Sequence, residues 1–282
     1  MSAPTPNPPA PIQTAHLFPK LEALLLELLE SLSPDDWLRP TLAPKWTVKD
    51  VAAHLLDTEL RLLSMARDGY RREQPAIASN ADLVAFVNRL NAEGVAVLGR
   101  LSPAVLVSLL RAASPQLCAY VASLDPFAPA AFGVSWAGEQ QSANWFDTAR
   151  EYTERWHHQQ QIRLATNKPG AMTRELYFPV LDCFMRALPF AYRDVPVPAG
   201  TLVQVNVSGD AGGTWYLHRA PDAWKLLASA AGTKAAEVTI PQEIAWRIFT
   251  KGIDRQSATQ QMRFEGDAAL GRPLLRAIAI VG

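Results

Sequence analysis

The chain has 282 residues, with 27 basic and 27 acidic side chains and a formal net charge of zero. That balance excludes a protein whose affinity comes from neutralising nucleic-acid phosphates. A hydrophobic fraction of 49% is enough to bury a real core and excludes a disordered body.

Residues 1–14 hold five prolines and no apolar run, which predicts a disordered, extended tail. They lack the basic start and apolar centre of a secretory signal. A helix is predicted over 17–32, with Leu21, Leu24, Leu25, Leu28 and Leu32 as its stripe and Glu22, Glu27 and Glu30 interrupting the apolar run. Thr47, followed three residues later by Asp50, reads as an N-cap with an acidic first turn. The helix it opens is predicted to reach about Arg67, with Val48, Val51, Ala52, Leu55, Leu56, Leu62 and Leu63 on its apolar face.

Two more helices are predicted over 80–101 and 103–124, the second opened by Pro103. A long helix over 142–166 stops before Asn167-Lys168-Pro169-Gly170. Its face of Trp145, Ala149, Tyr152 and Trp156 reads as core. Residues 172–192 are predicted helical, with Pro179 and Pro189 as kinks or breaks. No stretch reaches about 18 uninterrupted apolar residues, so no membrane partner is expected.

The pattern changes near 196, where a domain boundary is placed. Val203, Val205 and Val207 alternate with polar residues as a strand, 208–213 reads as a hairpin turn, and Trp215, Leu217 and Arg219 lie on the return strand. Strands are also predicted over 223–227, 237–240 and 262–264. A short helix over 242–251 is stopped by Gly252, and Gly266-Asp267 turns into a last helix. The fold class predicted is a helical bundle over 15–195 followed by a small α+β module over 196–282. Cys118 and Cys183 have no CxxC spacing, so both read as small core residues and the reducing cytoplasm is the expected location.

The chain has five histidines: His16, His54, His157, His158 and His218. Glu154 and His158 are four residues apart, so on a helix their Cβ atoms stand about 5–6 Å apart and can grip one cation. His54 is the candidate third ligand from another element. Two imidazoles and a carboxylate with one position left open make a typical catalytic-zinc set. His157, three residues after Glu154, competes as a ligand. The same helix face also carries Asp147, Glu151 and Gln161 beside Ala143, Ile162 and Ala165. A set of solvated or core-rim polar residues therefore stays open as the other reading. His16 and His218 have no identifiable partner.

The segment Trp46-Thr47-Val48-Lys49-Asp50-Val51-Ala52-Ala53-His54-Leu55 resembles the opening motif of the mycothiol-dependent maleylpyruvate isomerase family, part of the DinB superfamily of metal-binding four-helix bundles. Glu154-Arg155-Trp156-His157-His158 looks like its second motif. The C-terminal module, with Gly209, Ala245-Trp246-Arg247 and Gly266-Asp267, is similar to the sterol-carrier-like domain that follows the bundle. The resemblance implies His54, Glu154 and His158 as metal ligands, with His157 at a position the motif does not require to be His. It implies a divalent cation, Zn2+ above others, and a low-molecular-weight thiol, mycothiol or an analogue, as cosubstrate.

The thiolate would add to an electrophilic alkene, giving isomerisation, or displace a leaving group, giving S-transfer. A small-molecule substrate is expected. Asp57 is the expected hydrogen-bond partner of an imidazole, and Arg61 the expected partner of a substrate carboxylate. Spacing does not select Arg247 or Arg263 for a role. Trp46 reads as a packing residue and Thr47 as a cap. Two other functions stay open: a metal-bearing protein without catalysis, and a module that binds a small apolar ligand in its C-terminal domain.

Overall fold

The structure, a computed structural model, describes residues 7–73 and 75–280. They form two compact units. The helical unit comprises Gln13–Phe132 and Ser142–Ala171. The sheet unit comprises 7–12, Gly133–Gln141 and Met172–Ile280.

The helical unit is built from α1 (Phe18–Glu30), α2 (Val48–Leu62), α3 (Asn80–Leu98), α4 (Pro103–Ser123) and α5 (Asn144–Thr166). Leu25, Leu28 and Leu29 of α1 meet Val51, Leu55 and Leu56 of α2, Leu106 and Leu110 of α4, and Ile162 of α5 in one core. Each fully buried leucine contributes about 1.5–3 kcal/mol. Residues 63–67 continue α2 as one wide π-helical turn, closed by the Asp68 N–H donating to the Leu63 carbonyl at 3.0 Å. Among the described helices α4 is long and apolar enough to cross a membrane by length and composition. Its stripe of Leu106, Leu110, Ala113, Leu117 and Val121 is buried.

The start of α2 shows local sequence fixing local structure. The Asp50 N–H donates to Thr47 Oγ1 at 3.3 Å, and the Thr47 N–H donates to Asp50 Oδ2 at 2.9 Å, a reciprocal capping box. Thr47→Ala is expected to cost about 1 kcal/mol, read as a lower urea midpoint with an unchanged slope.

The helix α5 is far more buried than its composition suggests. Sixteen of its 23 residues are buried, including Glu151, Arg155, His157, His158, Gln159, Gln160, Gln161 and Arg163. Of the face that reads as mixed and partly solvated in sequence, Glu151, His158, Gln161 and Ile162 are therefore interior, while Asp147 and Glu154 are half-buried. Its polar groups find distant partners: Gln159 donates to the Leu21 carbonyl at 3.1 Å, and Arg163 to the Leu24 carbonyl at 3.2 Å. Asn167 ends the helix in the left-handed region at φ 52°.

The sheet unit holds α6 (Arg174–Met185), α7 (Leu188–Ala191), β1 (Leu202–Ser208), β2 (Gly213–Arg219), β3 (Trp224–Leu227), β4 (Ala236–Pro241), α8 (Gln242–Phe249), α9 (Arg255–Gln261), β5 (Arg263–Gly266) and α10 (Ala268–Gly271). The strand order is β3-β2-β1-β4-β5. The pair β1–β4 is parallel and the other three pairs are antiparallel. Val203, Val205 and Val207 point to the buried face, as the alternation predicts. Gly209 permits the hairpin turn at φ 112°. The short α9, capped by Asp254, is an addition to the predicted elements.

Two expectations are corrected. The division falls after Ala171, not near 196, because α6 packs into the sheet unit's own core. Tyr177 donates to the Gln242 carbonyl at 2.8 Å and accepts from the Trp246 N–H at 3.2 Å, while Phe184 stacks on Phe249 with ring centres 5.0 Å apart. The disordered tail expected over 1–14 falls partly on 1–6, outside the described residues. Residues 7–12 instead run along the sheet unit: the Ala228 N–H donates to the Asn7 carbonyl at 3.0 Å, Arg186 donates to the Ala10 carbonyl at 2.7 Å, and Ile12 is buried. Thr14, in the helical unit, is buried too.

Candidate metal centre

The helices α2 and α5 bring their histidines face to face. His54 lies nearly two turns past the capped start of α2, and its ring centre stands 4.6 Å from that of His158 on α5. Glu154, His157 and His158 each offer a ligand atom, and these atoms all lie within 4.8 Å of one another. Glu154 Oε2 is their common point, 3.4 Å from His157 Nδ1 and 3.8 Å from His158 Nε2. Trp46 lies over the pair, its ring centre 4.7 Å from His54 and 6.2 Å from His158. The tryptophan read from sequence as packing alone thus also borders the cluster.

Gln161 Oε1 is 2.9 Å from His158 Nδ1. An amide oxygen accepts, so that nitrogen carries the hydrogen and Nε2 keeps its lone pair toward Glu154. Nδ1 of His54 and Nδ1 of His157 are buried and make no hydrogen bond among the described residues. A buried polar atom without a partner is costly. Burial pushes the His54 and His157 imidazoles well below the usual range, with the neighbouring His158 adding to the effect on both. Burial likewise lowers His158 to about 4. All three rings are neutral at pH 7, the state that binds a cation. Burial raises Glu154 to about 8, against the pull of Arg150 and with the charge of Glu151 assisting. Three neutral imidazoles, a carboxyl group that gives up its proton when a cation binds, and two unpartnered nitrogens fit a divalent cation.

A second cluster lies behind the first and is absent from the sequence reading. Arg155, 1% exposed, pairs with Glu22 of α1 and with Glu59 of α2, the latter at 2.5 Å. Ser114 of α4 donates to Glu22 at 3.3 Å. The signal for it was a charged residue at an apolar position: Glu59 follows Leu55 by four residues and shares its buried face.

The expected role of Asp57 is corrected. Its carboxylate pairs with Arg61 at 2.8 Å, not with an imidazole, and packs where a Cβ on Gly94 of α3 would overlap it. Arg61 also donates to Asn91 at 2.6 Å, so its guanidinium is engaged within the bundle. In the sheet unit Arg247 donates to the Gly252 carbonyl at 3.1 Å, and Arg263 pairs with Glu265. His16 is exposed and His218 half-buried.

The family model of the mycothiol maleylpyruvate isomerase N-terminal domain matches residues 18–163, slightly more than half of the chain. A crystal structure of the mycothiol-dependent maleylpyruvate isomerase is similar over 83% of this chain and 86% of that one, at 13% identity and a TM-score of 0.50. A histidine-to-alanine mutant of the same enzyme covers the same shares at 13% identity and a TM-score of 0.49. At this identity the likeness is one of fold: a helical N-terminal region followed by a mixed five-stranded sheet with helices. No curated protein matches the chain.

Proposed function

The chain belongs to the mycothiol maleylpyruvate isomerase family, and from that premise we propose that its helical unit holds a divalent cation, Zn2+ above others, on His54, Glu154 and His158. With a low-molecular-weight thiol, mycothiol or an analogue, it isomerises a small electrophilic substrate or transfers the thiol's sulfur to it. The observation that carries this reading is the approach of His158 Nε2 to Glu154 Oε2, with the His54 ring centre 4.6 Å from that of His158 and the buried Nδ1 of His54 without a hydrogen bond among the described residues.

Charge supports it as well. Around Arg150 and Arg155 stand the carboxyl groups of Glu22, Glu59, Asp147, Glu151 and Glu154. When ionised, five carboxylates against two guanidiniums leave a surplus of negative charge that a divalent cation offsets. A cation in this position favours the thiolate form of a bound thiol over the thiol.

The chain's own part is to orient and to shield. Gln161 fixes the His158 tautomer, so Nε2 stays an acceptor. Trp46 sets an apolar ring against those of His54 and His158. In isomerisation a C–S bond forms at the alkene, the remaining single bond rotates, and the same C–S bond breaks to return the thiolate. In S-transfer the C–S bond stays and the leaving group departs with its electron pair. The reducing cytoplasm, where such thiols are abundant, suits a chain that forms no disulfide among the described residues.

Metal content of the purified full chain tests the reading. About one cation per chain is expected in the wild type and almost none in His158→Ala; a wild type without metal ends the proposal. Turnover of cis-alkene diacids with a panel of thiols then separates isomerase from transferase.

A further inference from the structure

The helix α5 carries one more imidazole than the three-ligand set uses. His157 is 2% exposed, its Nδ1 lies 3.4 Å from Glu154 Oε2, and that nitrogen makes no hydrogen bond among the described residues. Its ring centre is 4.0 Å from that of His158. Helical geometry explains the convergence. At about 100° per residue, Glu154 points between its neighbours, with His157 about 60° to one side and His158 about 40° to the other. The carboxylate is therefore bracketed by two rings from its own helix, and His54 arrives from α2.

We propose that His157 is a fourth protein donor to the cation, so that His54, Glu154, His157 and His158 hold it together. This rests on the metal reading above and goes further, because a three-ligand site leaves one position open and this one does not. The spacing fits. Donors at two corners of a tetrahedron with bonds of about 2.0–2.1 Å stand about 3.3 Å apart. The separations from Glu154 Oε2, 3.4 Å to His157 and 3.8 Å to His158, are close to that edge. An ordinary buried histidine would satisfy its nitrogen with a carbonyl or hydroxyl. Here the carbonyls of Thr153 and Glu154 border the ring, yet Nδ1 makes no hydrogen bond among the described residues and stands 3.4 Å from the same carboxylate oxygen that faces His158.

A closed set has a consequence for the thiol. A sulfur entering the site must displace a protein donor or raise the coordination number to five. Of the four, His157 would be the donor whose release leaves the facing rings of His54 and His158 both in place.

The test uses the full chain stripped of metal and titrated with Co2+, then with Zn2+ against a chromophoric chelator. Wild type, His157→Phe and the exposed control His16→Phe are compared. The proposal expects His157→Phe to lose Zn2+ affinity by at least about 100-fold, more than loss of an outer hydrogen-bond partner causes. It also expects a changed cobalt visible spectrum in that variant. With 2-mercaptoethanol as probe, the sulfur-to-cobalt charge-transfer band should rise at lower thiol concentration in His157→Phe than in the wild type.

Wild-type affinity and an unchanged cobalt spectrum in His157→Phe would overturn the fourth donor and leave the three-ligand reading standing. A wild type that binds neither ion overturns both. If the phenylalanine variant lacks the wild-type circular dichroism, His157→Gln, a polar side chain of similar reach, carries the same comparison.

Discussion

Arg155→Met is expected to lower the stability of the metal-free chain by about 3–5 kcal/mol. The guanidinium is 1% exposed and joins Glu22 of α1 to Glu59 of α2. Removing it leaves two carboxyl groups buried together with no cation between them, and the desolvation each has suffered is then uncompensated. The triple replacement Glu22→Gln, Arg155→Met, Glu59→Gln keeps the volumes and removes the charges, so it should recover most of the loss. Urea unfolding in excess chelator measures both. A single variant as stable as the wild type would show that the pairs contribute nothing.

The same cluster gives stability a defined pH dependence. Burial raises Glu59 to about 7, opposed by Arg155 and assisted by the charge of Glu22. Unfolded, the group titrates near 4.3. Between those values the folded chain holds more protons than the unfolded chain, so stability falls as pH rises through that window and levels off above it. Integrated over it, the effect is about 4 kcal/mol. Glu154, raised to about 8, contributes in the same direction. Glu59→Gln should flatten the curve between about pH 4.5 and 7 relative to the wild type, and a parallel pair of curves would refute the assignment.

What could be read in the sequence was what is decided locally. Thr47 and Asp50 cap α2 through contacts three residues apart, and the valines of β1 alternate because a pleat does. Glu154 and His158 were visible as a pair because four residues is one helical turn. The rest depends on partners far along the chain. Gln159 is buried because a carbonyl 138 residues away accepts from it. Arg155 is buried because carboxylates 133 and 96 residues away meet it. Asp57 faces Arg61 where Gly94 on α3 leaves space for it, and nothing local to α2 announces that space. The boundary at 196 followed the change from helix to strand, whereas the compact unit begins where α6 finds its core partners.

His54→Leu separates the metal reading from ordinary packing. At free Zn2+ about 100-fold above its dissociation constant, a site that binds only the folded state adds about 2.7 kcal/mol of stability, and about 4 kcal/mol at 1,000-fold. The wild type should show that gain as a thermal midpoint that climbs with added Zn2+ and returns to its starting value with chelator. In His54→Leu the gain should vanish. The metal-free midpoint should hold or rise, because the replacement removes a buried Nδ1 that makes no hydrogen bond among the described residues and sets an apolar side chain beside Trp46. That contrast is what marks a ligand: a side chain retained for binding weakens or leaves unchanged the fold that carries it, whereas a packing residue strengthens it. A variant that melts early yet still responds to Zn2+ would make His54 a packing residue, and the cation would then rest on the donors of α5 alone.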